Sequence, residues 1–259
     1  MSGGVDVRVS SPTLKETIGF FQPGIDYSLP EGNDGYIDVL GSVDAISSRA
    51  GHQVVQKKYF PRIYERFWRP VVSRMFFGLF GMGPRKERRI TLEMLDVSPG
   101  NQVLDVGCGP GNYTRYLASD SGDGLVVGAD ASGAMLAAGV RLGGGSNLAF
   151  VRTDACALPF ENGVFDIVSC VGTIHMIESP LAALTEMVRM LAPGGRIGMM
   201  TTCGRKGAPA KVRSGITVFA RDELPAALAA AGLVEIEQSV FYRAQFISAR
   251  RPTEVEDGG

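Results

Sequence analysis

Cysteine is scarce in this sequence, and the four present (Cys108, Cys156, Cys170 and Cys203) stand far apart with no C-x-x-C pair. That spacing argues against a disulfide framework or a thiolate metal site, so no metal is expected and a reducing cytoplasm is the expected compartment. Histidine is scarcer still, with two in 259 residues, His52 and His175. Charge of one sign is missing too: the formal net charge is −1. The chain therefore lacks the overall positive footprint of a nucleic-acid binder, and nucleic acid is not an expected partner. No apolar run reaches the roughly 18 residues of a membrane span. The N-terminus lacks the basic-then-apolar pattern of a signal peptide. A soluble protein is expected.

What is present is a packed α/β sequence, 45% apolar, with 34 glycines. Its most informative stretch is Val103-Leu104-Asp105-Val106-Gly107-Cys108-Gly109-Pro110-Gly111-Asn112. A β-branched apolar run carries an acid and then breaks into three glycines at alternate positions. Such a loop admits unusual dihedrals and the close approach of a ligand. Asn112 to Arg115 then opens a helix whose N-terminal amides face the same crevice. The dinucleotide fingerprint is G-x-G-x-x-G, with a pyrophosphate at the helix N-terminus. Here the third glycine arrives one residue early. The carboxylate beside the loop would repel a pyrophosphate but suits a ligand that carries an ammonium group.

Further segments follow in order: Leu125–Asp130, a strand ending in an acid 25 residues after Asp105; Ser132–Leu136, opening a helix; Ala149–Arg152, then Thr153-Asp154-Ala155; Phe160–Val168; and Leu191–Arg196. Together with the glycine loop they resemble the class I S-adenosylmethionine (SAM)-dependent methyltransferases, type 11, over roughly residues 100–250. The resemblance implies a Rossmann-like, seven-stranded, mostly parallel sheet with an antiparallel last strand. It also implies SAM as cofactor and S-adenosylhomocysteine as product. The implied cofactor-binding residues are Asp105, Gly107, Cys108, Gly109, Gly111, Asp130, Ala131, Met135, Asp154, Ala155 and Val171. Asp130 would accept from the ribose hydroxyls, Met135 would pack on adenine, and Asp154 would accept from the adenine amine.

Strand and helix signals alternate from about Gln102 onward, which predicts parallel pairing through crossover helices. A helix is expected after Ser179, read as its N-cap, with Pro180 at the first helical position and a stop at Pro193-Gly194-Gly195. Another is expected over about Asp222–Ala231. The last two strands, Val234–Ser239 and Phe241–Ala249, are too close for a crossover and must pair antiparallel. Domain limits follow: 1–90 as leader and helical cap, 91–250 as the SAM-binding domain, 251–259 as a disordered tail. Residues 53–82 are dense in aromatics and arginine, which predicts helices capping the sheet domain. Segments 11–14 and 34–40 resemble the zinc-ribbon leader of related rRNA-type methyltransferases, but the ligand cysteines are missing, so the leader would hold no metal.

His175, just past the fourth strand, is the candidate general base; the competing reading is that it only lines the SAM pocket. His52 reads as an exposed linker residue. Tyr113 and Tyr64 could orient an acceptor. Arg205, Lys206, Lys211 and Arg213 fall where relatives place acceptor contacts, although a solvated basic loop is the plainer reading. The aromatic cap favours a small or lipid-like acceptor, methylated at oxygen or carbon. The rivals are an RNA methyltransferase, a nicotinamide oxidoreductase and a catalytically silent SAM-binding protein.

Overall fold

The computed structural model describes residues 11–29, 35–41, 83–213 and 215–253. Among them are helices α1 (Pro12–Gly19), α2 (Pro84–Leu95), α3 (Asn112–Ser121), α4 (Gly133–Leu142), α5 (Pro180–Met190) and α6 (Glu223–Ala230). The strands are β1 (Ile37–Asp38), β2 (Val103–Val106), β3 (Val126–Asp130), β4 (Leu148–Arg152), β5 (Phe165–Val171), β6 (Leu191–Thr202), β7 (Lys211–Arg213), β8 (Ile216–Val218), β9 (Val234–Phe241) and β10 (Ala244–Arg250). One sheet has the order β1-β4-β3-β2-β5-β6-β10-β9, and β7–β8 forms a separate hairpin. All neighbours in the sheet are parallel except β10, which is antiparallel to both β6 and β9. The seven expected strands are there, joined by an eighth at the edge.

The central strands are continuous apolar runs because both faces are covered. Their period of two divides the core cleanly. Leu104, Val127, Val168 and Ile197 face a cluster with Leu184, Met187, Leu224 and Leu228, from α5 and α6. Val103, Val126 and Ile167 face Leu95, Leu117 and Ala118, from α2 and α3. The strand order reverses between β2 and β5, so a crevice opens beyond the carboxyl ends of these strands.

Several boundaries differ from the sequence reading. Pro193-Gly194-Gly195 does not lie between helix and strand: α5 ends at Met190 and β6 begins at Leu191. The three residues form an irregularity inside β6, where Leu191 pairs with Phe165 but Arg196 already pairs with Ile167. Ser179 holds the N-cap position, yet its side chain makes no capping bond. The final hairpin turns at Tyr242–Arg243, two residues later than expected, because Phe241 pairs with Ala244 and its ring packs edge-on against Phe246 at 5.8 Å. Arg251 is no part of a loose tail; its amide donates to Gly195 O and its guanidinium to Leu191 O.

The expected break at residue 90 falls inside α2, whose Met94 and Leu95 lie against Gly198 of β6. The described residues of the leader, 11–29 and 35–41, pack on the sheet domain. Residues 12–19 are helical, and Phe20, Phe21 and Phe160 stack edge-on with one another or with Phe165 at 5.2–5.6 Å. The edge strand β1 pairs with β4, and Arg152 fastens it. The Arg152 guanidinium donates to Asp38 Oδ2 at 2.9 Å, to Gly41 O at 2.8 Å and to Ala131 O at 3.2 Å. The proposed aromatic cap over 53–82, the linker residue His52, and residues 1–10 and 254–259 lie outside the described residues.

The Arg152 and Asp38 side chains are 14% and 10% exposed, so the pair lies between a surface bridge and a buried one. Arg152→Met leaves the Asp38 carboxylate short of its counter-charge. It should lower unfolding free energy by about 3 kcal/mol, read by urea denaturation. A loss under about 0.5 kcal/mol, the range of an exposed pair, contradicts this account of the leader.

Candidate functional site

The glycine loop between β2 and α3 is held from three directions. Below it, the amides of Gly107 and Cys108 both donate to Ala129 O, at 2.7 and 3.1 Å. Beside it, the Thr173 hydroxyl donates to Gly107 O at 2.9 Å. Across from it, Asp130 Oδ2 accepts from the Gly109 amide at 2.8 Å, while Oδ1 accepts from the Ser132 amide at 2.8 Å. Gly107 has φ +71°, and a Cβ there would lie 2.1–2.6 Å from Thr173 side-chain atoms. Glycine is required at 107 by conformation and by space alike. Gly111 is blocked too, by the Phe150 ring. At Gly109, by contrast, nothing lies within 4 Å of an added Cβ, which marks the open side of the loop.

Asp105 sits differently from its expected place at the ligand. The residue is 2% exposed. Both oxygens accept from buried hydroxyls, Oδ2 from Thr114 at 2.7 Å and Oδ1 from Ser169 at 2.5 Å. It therefore ties β2 to α3 and β5 and presents no free face to an ammonium group. Burial pushes its pKa above the usual carboxylate range, the two hydroxyls pull against that, and the neighbouring Asp130 charge adds to the rise. The Cys108 thiol is also held well above its ordinary value, by burial and by the same two carboxylates. It is no nucleophile at neutral pH.

The remaining candidates gather at the ends of β3, β4 and β5. Asp130 is half-buried and faces the loop. Ala131 follows it, its carbonyl bonded to Arg152. Met135 is 2% exposed in the first turn of α4, where the Ser132 hydroxyl caps its amide. Asp154 is exposed, with Oδ1 accepting from the Cys156 amide at 2.8 Å, and Ala155 lies between them. Val171 closes β5, followed by Gly172 at φ +75°. Apart from Asp105, whose carboxylate is turned inward, the set lies at or just beyond the carboxyl ends of β2, β3, β4 and β5, on both sides of the glycine loop.

His175 lies in the core beside the crevice. It lies in a 3-10 turn, Ile174–Met176, and is 3% exposed. Its Nδ1 is 3.1 Å from the Thr201 hydroxyl of β6. Burial draws its pKa down to about 4. A ring buried so deeply and so reluctant to take a proton fixes the turn and is a poor general base at pH 7. Tyr113 is also occupied, its hydroxyl donating to Glu87 Oε1 at 2.9 Å; Tyr64 lies outside the described residues. Thr114, Ser169, Thr173 and Phe150 escaped the sequence reading. Nothing in the local pattern marks them: Phe150 and Ser169 lie within β4 and β5, Thr114 in the first turn of α3 and Thr173 just past β5.

Residues fit for a nucleoside with a charged amino-acid end are thus in place: an open glycine, a helix N-terminus, and carboxylates at 130 and 154. Residues 104–199 match the family described as a methyltransferase domain. The match covers the glycine loop, β3, β4, β5 and most of β6. The chain is similar to the demethylmenaquinone methyltransferase of Beutenbergia cavernae, 42% identical over 110 residues, which cover 42% of this chain and 44% of that protein. It is similar also to the ubiquinone/menaquinone biosynthesis C-methyltransferase of Ectopseudomonas mendocina, 40% identical over 115 residues, 42% of this chain and 45% of that protein. The matched stretch spans about half the length of these relatives. Among solved structures, phosphoethanolamine N-methyltransferase 2 of Haemonchus contortus, in complex with SAM, superposes with a TM-score of 0.61 at 17% identity. The match covers 80% of this chain and 60% of that one, and shows the shared fold.

Two outcomes check this geometry. Gly107→Ala should cost about 1–3 kcal/mol through its positive φ and the Thr173 contact; an unchanged melting temperature contradicts the packing described. The His175 prediction concerns acid. Its folded pKa is near 4 against 6.5 unperturbed, so its contribution is complete above pH 6.5 and is lost as pH falls from there toward 4. The loss amounts to about 3 kcal/mol. His175→Gln should flatten the stability profile between those values by that amount, and a parallel profile would contradict the burial.

Proposed function

We propose that this chain is a SAM-dependent methyltransferase whose acceptor is a small, lipid-like metabolite of the quinone class, methylated at carbon. The observation that carries the cofactor is the Asp130 carboxylate, set opposite the open face of Gly109. An acid at the end of the second strand is placed for ribose hydroxyls, and the G-x-G-x-G spacing of the loop departs from that of pyrophosphate binders. Asp154 and Ala155 continue the same edge toward an adenine, and Met135 backs it. When bound, the cofactor supplies an electrophilic methyl on a sulfonium. The chain's part is alignment and exclusion of water, and orientation alone contributes roughly 7–11 kcal/mol.

Two observations support carbon over oxygen. The relatives are named as quinone methyltransferases, one of them a C-methyltransferase. The only histidine near the crevice among the described residues is withdrawn into the core, and an electron-rich reduced quinone ring needs less help from a base than an alcohol does. A reducing intracellular setting suits the free cysteines, and no described helix is long and apolar enough to cross a membrane. The RNA reading draws its support from the leader alone.

Two measurements test the proposal together. Labelled methyl should pass from SAM to demethylmenaquinone kept reduced, and no transfer to any reduced quinone overturns the acceptor class. Asp130→Ala should weaken S-adenosylhomocysteine binding by about 1–3 kcal/mol, because buried hydroxyls lose their acceptor; unchanged affinity by calorimetry removes Asp130 from the site.

A further inference from the structure

The rim of the crevice beyond β6 carries a concentration of positive charge that the net charge of −1 conceals. From Thr201 to Phe219 the sequence has four cations (Arg205, Lys206, Lys211, Arg213) and no acid. The β9–β10 turn adds Arg243. The backbone brings these pieces together: the Cys203 amide donates to Arg243 O at 2.7 Å, and the Gly204 amide to Phe219 O at 2.8 Å. Lys211 pairs with Val218, one residue before that contact. From the other side, Lys86 of α2 reaches the Phe241 ring, 5.9 Å from its centroid. Arg205, Lys206, Lys211, Arg243 and Lys86 are all exposed.

Set among these cations are two outward apolar side chains, Tyr242 at 66% exposure and Val212 at 58%. The Arg243 guanidinium lies 5.5 Å from the Tyr242 ring centroid. Neither side chain serves the core, and the turn holds Tyr242 at φ +56°, in a region most residues avoid. Cations interleaved with an aromatic and a small aliphatic side chain match the chemistry of a bilayer interface, where headgroup charge meets the ends of acyl chains.

We infer that this rim, residues 203–213 with the Tyr242–Arg243 turn, docks on an anionic lipid bilayer and brings the crevice to the surface from which its acceptor is drawn. The inference rests on the lipid-like acceptor proposed above. A bilayer fits better than RNA. The attraction of a local patch acts within a Debye length of a flat charged surface. A long polyanion would also meet the rest of an overall negative chain.

Co-sedimentation of the full chain with phosphatidylcholine vesicles, with and without phosphatidylglycerol, tests it. Binding should need phosphatidylglycerol and fade as salt rises. Lys206→Glu with Lys211→Glu should lower partitioning by roughly tenfold or more, since each interfacial cation contributes about fivefold. Tyr242→Ser with Val212→Ser should lower it several-fold. Both variants should keep the wild-type affinity for S-adenosylhomocysteine, which reports an intact fold. Equal binding to neutral vesicles, no binding, insensitivity to the charge reversal, or a preference for structured RNA over anionic vesicles would each overturn the inference. Methyl transfer to acceptor supplied in detergent reads the proposed function separately. Its absence with vesicle binding intact strikes the function, and its persistence without vesicle binding strikes the docking surface.

Discussion

The Asp130 carboxylate, accepting from the Gly109 amide on one oxygen and the Ser132 amide on the other, is the contact on which the site depends. It joins the end of β3 to a loop 21 residues earlier in the chain and sets the start of α4 at the same time. A glycine loop has little conformational preference of its own. Its shape comes from what it is tied to, and here a charged acceptor ties it from the ligand's side. Each oxygen of this one side chain holds a different backbone segment, so the order of the loop and the start of α4 have one source.

Behind this contact the scaffold is redundant. Asp105 braces β2, β5 and α3 through Thr114 and Ser169, at the expense of burying a carboxyl that burial makes reluctant to ionise. Thr173 holds Gly107, and His175 pins the turn after β5 to Thr201 of β6. On the other flank Arg152 binds the leader to Ala131, so residues far upstream in the chain help to fix the wall beside Asp130. A crevice walled in this way can align two reactants without a charged catalyst of its own. That is what the reaction proposed here asks of a protein.

The sequence announces the elements whose local pattern and tertiary role agree. The β-branched runs at 103–106 and 126–130, the alternate glycines and Pro180 at a helix start all lie where their chemistry requires. It misleads where a residue's role is set by distant partners. Asp105 reads as a ligand-facing acid, and its inward turn depends on Ser169, 64 residues away. His175 reads as either a base or a pocket-lining residue, because nothing local reports that Thr201 of β6 bonds its ring. Pro193-Gly194-Gly195 reads as a breaker, while pairing with β5 absorbs it as an irregularity in a strand. The edge strand at Ile37–Asp38 is too short to show a period at all, and the Arg152 ion pair that secures it spans 114 residues.

The central claim is that this crevice selects a nucleoside bearing a charged amino-acid end over one bearing phosphates. Isothermal titration of the full chain with S-adenosylhomocysteine and, separately, with NADH tests it most directly. The account predicts saturable binding of S-adenosylhomocysteine at one site per chain and no heat from NADH. Saturable NADH binding with no response to S-adenosylhomocysteine would contradict it.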